Sequence, residues 1–333
     1  MDLSKLTKKT IKVSRGFTYT YYTSPIQGSN KPTLILFHGW PDTSRLWAGL
    51  INDHLLPQGY GVIALDILGY GGSSKPTDEK AYACDSLAAD VVAILDAEDI
   101  DKVISLGHDW GSLAAQRLYN FYPARVCGVI MLNVAYMPPS GHFDLNETIE
   151  ATKKQFGRSL FEYWHFFTAE DAVGIMNRHL DSVYAVAFGE PETWIETFCT
   201  PGGMRRFISE GRTQPTLPFA TPDHKADFME RFSRDGDGGF AAPCCMYKAW
   251  TAGVQAEGEK KVAEEAKTVN VPVLYWGGSR DFVCRPETLQ RSIDDGLLPD
   301  VKSIVRDGGH WACLEKPDEL GRDVVGWLQE RFA

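Results

Sequence analysis

Residues 102–111 read Lys-Val-Ile-Ser-Leu-Gly-His-Asp-Trp-Gly, and few folds accommodate such a stretch. Val103, Ile104 and Leu106 form an apolar run that predicts a strand. Gly107-His108-Asp109-Trp110-Gly111 then places glycine on both sides of its centre, and a helix-like segment, residues 112–122, follows at once. Strand, sharp turn and helix in that order form an elbow whose central residue, here Asp109, sits on a strained turn with its side chain clear of the backbone. Gly107 and Gly111 fit that reading because strand and helix approach too closely for a Cβ on either side. The carboxylate brings its own chemistry. Displacing a leaving group from a saturated carbon leaves it as an ester, which water can cleave at the carbonyl, whereas a serine would be left as an inert ether. Alone, the pentapeptide could equally be a tight turn with an N-capping Asp, so the rest of the chain decides.

The elbow strand is one of several continuous apolar runs, at residues 32–37, 62–65, 103–106, 129–132 and 271–276. Runs without alternation are expected for strands buried on both faces of a mostly parallel sheet. Helical periodicity separates them, notably over 85–97, where Leu87, Val91, Ile94 and Leu95 recur at helical spacing behind an expected Asp85 N-cap. Alternating strand and helix predicts an α/β fold, a doubly wound sheet with helices on both faces. Residues 11–13 and 17–22 alternate around Arg15-Gly16 as an antiparallel hairpin does. A last strand at 303–305 and an amphipathic helix at 317–332 close the chain.

The alternation stops over 137–250, a helix-like region rich in aromatics, so that region is expected to be a helical lid. The expected organisation is a first core part at 1–136, the lid at 137–250 and a second core part at 251–333. Sites in such sheets lie beyond the carboxyl ends of the strands, so an insertion there would roof the site. Residues 233–239, Ser-Arg-Asp-Gly-Asp-Gly-Gly, are the most flexible-looking stretch.

Composition narrows the partners. A net charge of −10, from 34 Lys+Arg against 44 Asp+Glu, makes nucleic acid and anionic membrane poor guesses. No apolar run approaches membrane-spanning length, the first ten residues lack the apolar segment of a secretory leader, and the seven cysteines lack Cys-x-x-Cys spacing, which together predict reduced thiols in a cytoplasmic protein. The sequence carries no signal of oligomeric state.

An Asp nucleophile needs a base to activate water for the second half-reaction, and His suits that role near neutral pH. Of eight histidines, His310 stands in Asp-Gly-Gly-His-Trp just after the last predicted strand, where a glycine-rich loop could carry the ring over the sheet edge. His108 is expected to pack or orient backbone inside the elbow, and His38 to brace the loop His-Gly-Trp-Pro. Asp281, in Gly-Gly-Ser-Arg-Asp-Phe-Val, follows the strand ending at Trp276 and completes the order nucleophile, acid, His that α/β-hydrolases use. The rival acid position, after Leu132, holds the uncharged Asn133. Donors for the oxyanion of ester hydrolysis are expected from the N–H groups of Trp110 and Trp40.

His-Gly-Trp-Pro-Asp at 38–42, Gly-His-Asp-Trp-Gly at 107–111, Arg-Asp-Phe-Val at 280–283 and Gly-Gly-His-Trp at 308–311, with a lid between, resemble the soluble epoxide hydrolases of the α/β-hydrolase superfamily. The resemblance covers nearly the whole chain and is shared in part with haloalkane dehalogenases. It implies conversion of an apolar epoxide to a vicinal diol, with two lid tyrosines donating to the epoxide oxygen. Phe161-Glu162-Tyr163-Trp164 resembles the surroundings of the first, and residues 239–248 those of the second, which places the donors at Tyr163 and Tyr247. One position departs from the pattern: Cys245 stands where the family usually has Asn. No metal or organic cofactor is implied. The alternatives are a haloalkane dehalogenase, in which Trp40 and Trp110 indoles would hold the departing halide, a non-catalytic receptor on the same fold, and a biosynthetic enzyme opening an epoxide with a nucleophile other than water.

Overall fold

The computed structural model describes residues 2–24, 31–233 and 238–332; of the stretch 233–239, residues 234–237 lie outside the described residues. Eight strands form one sheet in the order β1-β2-β4-β3-β5-β6-β7-β8. They are β1 (Thr7–Lys12), β2 (Thr18–Thr23), β3 (Thr33–Phe37), β4 (Val62–Leu65), β5 (Val103–His108), β6 (Val126–Leu132), β7 (Val273–Gly278) and β8 (Val301–Arg306). The hairpin β1–β2 and the pair β2–β4 are antiparallel, and all pairs from β4 to β8 are parallel. Every residue of β3, β4, β5 and β7 is buried, as unbroken apolar runs require. The edges differ: β1 and β8 are mostly exposed and carry Lys8, Lys9, Lys12, Lys302 and Arg306, charges that discourage edge-to-edge association.

Successive strand residues feed two separate apolar layers, following the period of two. Ile35, Phe37, Ile63, Leu65, Met131 and Tyr275 join one layer, which continues through α1 (Cys84–Ala97) and α2 (Trp110–Phe121) into the aromatics between β6 and β7. Leu34, Leu36, Val62, Ala64, Leu132 and Trp276 join the other, against the C-terminal helix Pro317–Phe332. The aromatics of the helical segment thus share the sheet's own core. Between β6 and β7 the described residues form short helices and one isolated bridge, Gly189 to Thr216.

The N-terminus of α1 corrects one expectation. Asp85 lies inside the helix, paired with Lys261, and Ala83 is the capping position without a side-chain bond. The Cys84 N–H instead donates to Gln255 Oε1 at 2.9 Å. A partner 171 residues away in sequence does the work that local pattern assigned to Asp85.

One buried ion pair ties both ends of the helical segment to the elbow helix. Arg117 of α2 donates to Glu259 through Nε at 2.8 Å and Nη2 at 2.5 Å, and its Nη1 donates to the Met137 carbonyl at 2.8 Å. Glu259 accepts in turn from the Ser140 N–H at 2.7 Å. The chain leaves the sheet through 137–140 and returns through Val254–Glu259, so both passages meet on Arg117. Breaking such a pair strands a buried charge, which costs about 3–5 kcal/mol. Glu259→Gln should lower the melting temperature by about 4–7 °C for a chain of this size. Lys302→Ala, which removes the exposed pair with Glu330, should move it by less than about 1 °C. Calorimetry of both variants checks the contrast, and equal shifts would refute it.

Candidate active site

The sheet's strand order reverses between β3 and β5: β4 lies to one side of β3, and β5 to the other. Loops leaving adjacent strands at such a point diverge and open a crevice at their carboxyl ends. The loop after β3 carries Gly39 and Trp40 there, and the turn after β5 carries Asp109. Asp109 has φ 55° and ψ −127°, a sparsely populated conformation for a residue with a Cβ. Sterics hold it in place. A Cβ on Gly107 would lie 1.9 Å from the Gly111 carbonyl oxygen, and one on Gly111 would lie 1.9 Å from that of Phe37.

The sheet places the other residues around the Asp109 carboxylate. The Trp40 N–H donates to Oδ1 at 2.9 Å, and the Trp110 N–H, next in the chain, favours the ionised carboxylate. His310, in the loop after β8, places Nε2 3.6 Å from Oδ2. Its Nδ1 donates to Asp281 Oδ2 at 2.7 Å, the tautomer an ionised carboxylate demands. Asp281, three residues past β7, is fully engaged: Oδ1 accepts from the N–H groups of Val283 at 3.0 Å and Cys284 at 2.8 Å, and Oδ2 accepts from Asn133 Nδ2 at 2.9 Å. Asp281, Cys284 and His310 offer three ligand atoms within 4.8 Å of one another. Two of those atoms already satisfy each other, so the cluster serves as a hydrogen-bonded dyad.

Electrostatics separates these groups. Burial raises the Asp109 carboxyl above its ordinary range, and His310 with the Trp110 and Trp40 N–H groups only partly offsets this. Burial also opposes the charged forms of His310 and Asp281, but their mutual attraction outweighs it, lifting the imidazolium and depressing the carboxyl. His108 and His38 are different: burial pushes them down to about 3 and about 4, so both are neutral. His108 Nε2 bonds the His310 carbonyl at 2.7 Å, and His38 spans Gly39 O at 3.0 Å and Ile67 N at 3.1 Å. Both brace loops, as expected.

The helical segment closes the crevice with aromatics. Tyr163, which precedes helix Trp164–Phe167, and Tyr247, in helix Cys245–Thr251, have ring centroids 5.8 Å apart. Tyr247 also meets Trp110 at 5.0 Å and Phe167 at 4.9 Å, and Phe167 meets Trp40 at 4.9 Å. Burial first, then Asp109 for Tyr163 and Tyr163 with Asp109 for Tyr247, pushes both phenols well above their ordinary value. Both phenols therefore stay protonated within one aromatic cluster with Trp110, close enough to feel the Asp109 charge. Cys245 turns its thiol back to the Ala241 carbonyl at 3.3 Å and supplies nothing to Tyr247.

Comparison with known proteins follows this geometry. Residues 32–317 match the family described as alpha/beta hydrolase fold. The chain belongs to the α/β-hydrolase family. This α/β-hydrolase is 26% identical over 314 residues to Bifunctional epoxide hydrolase 2 of Sus scrofa, a match covering 91% of this chain and 52% of that protein. It thus spans about half the length of that relative. It is 27% identical to Epoxide hydrolase A of Mycobacterium tuberculosis, covering 89% of this chain and 90% of that one. The crystal structure of Epoxide Hydrolase A from Mycobacterium thermoresistibile superposes with a TM-score of 0.76 at 25% identity, covering 97% of this chain and 98% of that one. An epoxide hydrolase from an endophytic Streptomyces shares the fold, with a TM-score of 0.80 at 23% identity over 98% of this chain and 96% of that one.

Two residues of this α/β-hydrolase site escaped the sequence reading. Asn133, set aside because it lacks charge, orients the carboxylate that has it; its φ of 64° marks a tight exit from β6. Tyr70, in Gly-Tyr-Gly-Gly after β4, is buried with its hydroxyl unpartnered among the described residues, and Asp109 adds to the burial that holds it protonated. Its place beyond a strand's carboxyl end was the available signal.

Proposed function

We propose that this chain is an epoxide hydrolase that converts an apolar epoxide and water to a vicinal diol. The reading is supported by the Asp109 carboxylate lying 3.6 Å from His310 of the His310–Asp281 dyad, with two phenols that stay protonated in the aromatic cluster of Trp110. Asp109 attacks one epoxide carbon and breaks its bond to oxygen. Tyr163 and Tyr247 hydrogen-bond that oxygen and supply its proton, leaving a hydroxyalkyl ester. His310 then takes a proton from water as the water oxygen bonds to the Asp109 carbonyl carbon, and the oxyanion lies against the Trp40 and Trp110 N–H groups. Collapse expels the diol oxygen, which takes the proton from His310, and the second water proton, left on the Asp109 carboxyl, passes to the phenolate and restores both groups. Residues 137–250 act as the lid over a core formed by 1–136 and 251–333, and the aromatic lining favours an apolar substrate.

The names of the relatives support this reading, as does the agreement of Asp nucleophile, base and lid donors. Incubation with a panel of apolar epoxides and chloroalkanes tests it: diol should form without halide release, and halide release alone would favour a dehalogenase. A pH profile adds a second check. In the free protein, Asp281 and Asp109 both raise His310. Alkylation removes the Asp109 charge, so in the ester the imidazolium loses one of its supports. Neutral His310 is the working base, so ester hydrolysis should rise with pH through a single ionisation lying below that of His310 in the free protein.

A further inference from the structure

The helix Pro222–Ser233 packs against the loop that carries the Trp40 N–H, and one side chain makes the connection. Arg231 Nη1 donates to the Pro41 carbonyl at 2.9 Å, while its Nε donates to Asp227 Oδ2 at 2.9 Å, one helical turn earlier. Asp227 pairs in turn with Arg45 of the core. Aromatic contacts follow the same path: Phe232 stacks on Phe240 with centroids 4.1 Å apart and planes 7° apart, and Phe240 lies 6.1 Å from Trp40. The Arg231 side chain is 13% exposed, and its Nη2 is buried without a partner among the described residues. Its charge reaches both flanks of Gly39-Trp40-Pro41: it opposes protonation of His38 and offsets the burial that lifts Asp42 to about 6. Drawing a guanidinium mostly out of water is costly unless its bonds are worth keeping, and among the described residues its hydrogen bond outside its own helix goes to the carbonyl directly after Trp40.

We propose that Arg231 is a positioning residue which, from the inserted helical segment, holds the Pro41 carbonyl and so fixes the Trp40 N–H at the place where the oxyanion of ester hydrolysis forms. The inference rests on the epoxide hydrolase reading for its kinetic consequence and on the hydrogen bonds above for its structural one. It assigns the segment over the sheet a part in the second half-reaction, beyond roofing the site and supplying the tyrosines for the first. Alkylation places no oxyanion against Trp40, so the two half-reactions should respond differently.

The test is Arg231→Gln, with Arg231→Lys beside it, read in two ways. Rapid-quench mass spectrometry separates formation of the Asp109 ester from its decay. Decay should slow about tenfold, short of the ~10²-fold that a 1 Å misplacement can cost, while formation changes less than about threefold and the Lys variant recovers part of the loss. The second reading is the amide proton of Trp40 by NMR in the free protein, which its bond to Asp109 places downfield; Arg231→Gln should move it upfield. An unmoved Trp40 resonance, or formation and decay falling in step, would overturn the proposal. Failure of the unmodified protein to form any ester would instead count against the hydrolase reading, and the Trp40 resonance would still judge Arg231.

Discussion

Asp109→Asn should leave a folded protein whose turnover is lower by on the order of 10⁶-fold, the scale expected when a nucleophile is removed outright. The substitution keeps the side chain's shape and its tolerance of the unusual backbone at φ 55°, so the loss isolates the chemistry. Stability adds a sharper sign. The folded pKa of Asp109 is raised above its unfolded value, so above that range the ionised group costs folding free energy, and the cost disappears as pH falls and the carboxyl protonates. Removing the charge should therefore leave the melting temperature at pH 7 equal to or higher than that of the unmodified protein. A lower melting temperature with activity retained would mean Asp109 is a structural capping residue of α2.

The second large effect falls on the helical segment between β6 and β7. Tyr163→Phe and Tyr247→Phe keep every ring contact and remove only the hydroxyls. Each should slow ester formation by about 10²-fold and the pair by at least about 10³-fold, the range for a positioned general acid. Ester decay should change far less, because its oxyanion is assigned to the Trp40 and Trp110 N–H groups and not to the phenols. Single-turnover kinetics on an epoxide separates the two steps, and a double variant that forms ester within a few-fold of the unmodified rate would remove both tyrosines from the mechanism.

What was legible in the sequence was what neighbouring residues determine. Apolar runs announced β3 to β7 because a strand buried on both faces admits few polar residues. The glycines of the elbow announced its turn because no Cβ fits there. What was illegible depends on residues distant in the chain. Asp85 looked like the cap of α1, but Gln255 caps it after the chain has crossed the whole helical segment. Arg117 and Glu259, 142 residues apart, show no local pattern, yet they meet with both ends of the helical segment. Asn133 was discarded for lacking charge, although a carboxylate can be oriented by an amide donor as well as by a cation. Arg231 belongs to no motif in the sequence, and only the packing of its helix brings it to Pro41.

The covalent ester on Asp109 is the central claim, and intact mass spectrometry of a His310→Gln variant tests it most directly. Without its base, the protein should stall after the first half-reaction and carry an adduct equal to the whole mass of the epoxide supplied, an adduct that Asp109→Asn abolishes. No adduct with any apolar epoxide, from a variant that melts like the unmodified protein, would contradict the account.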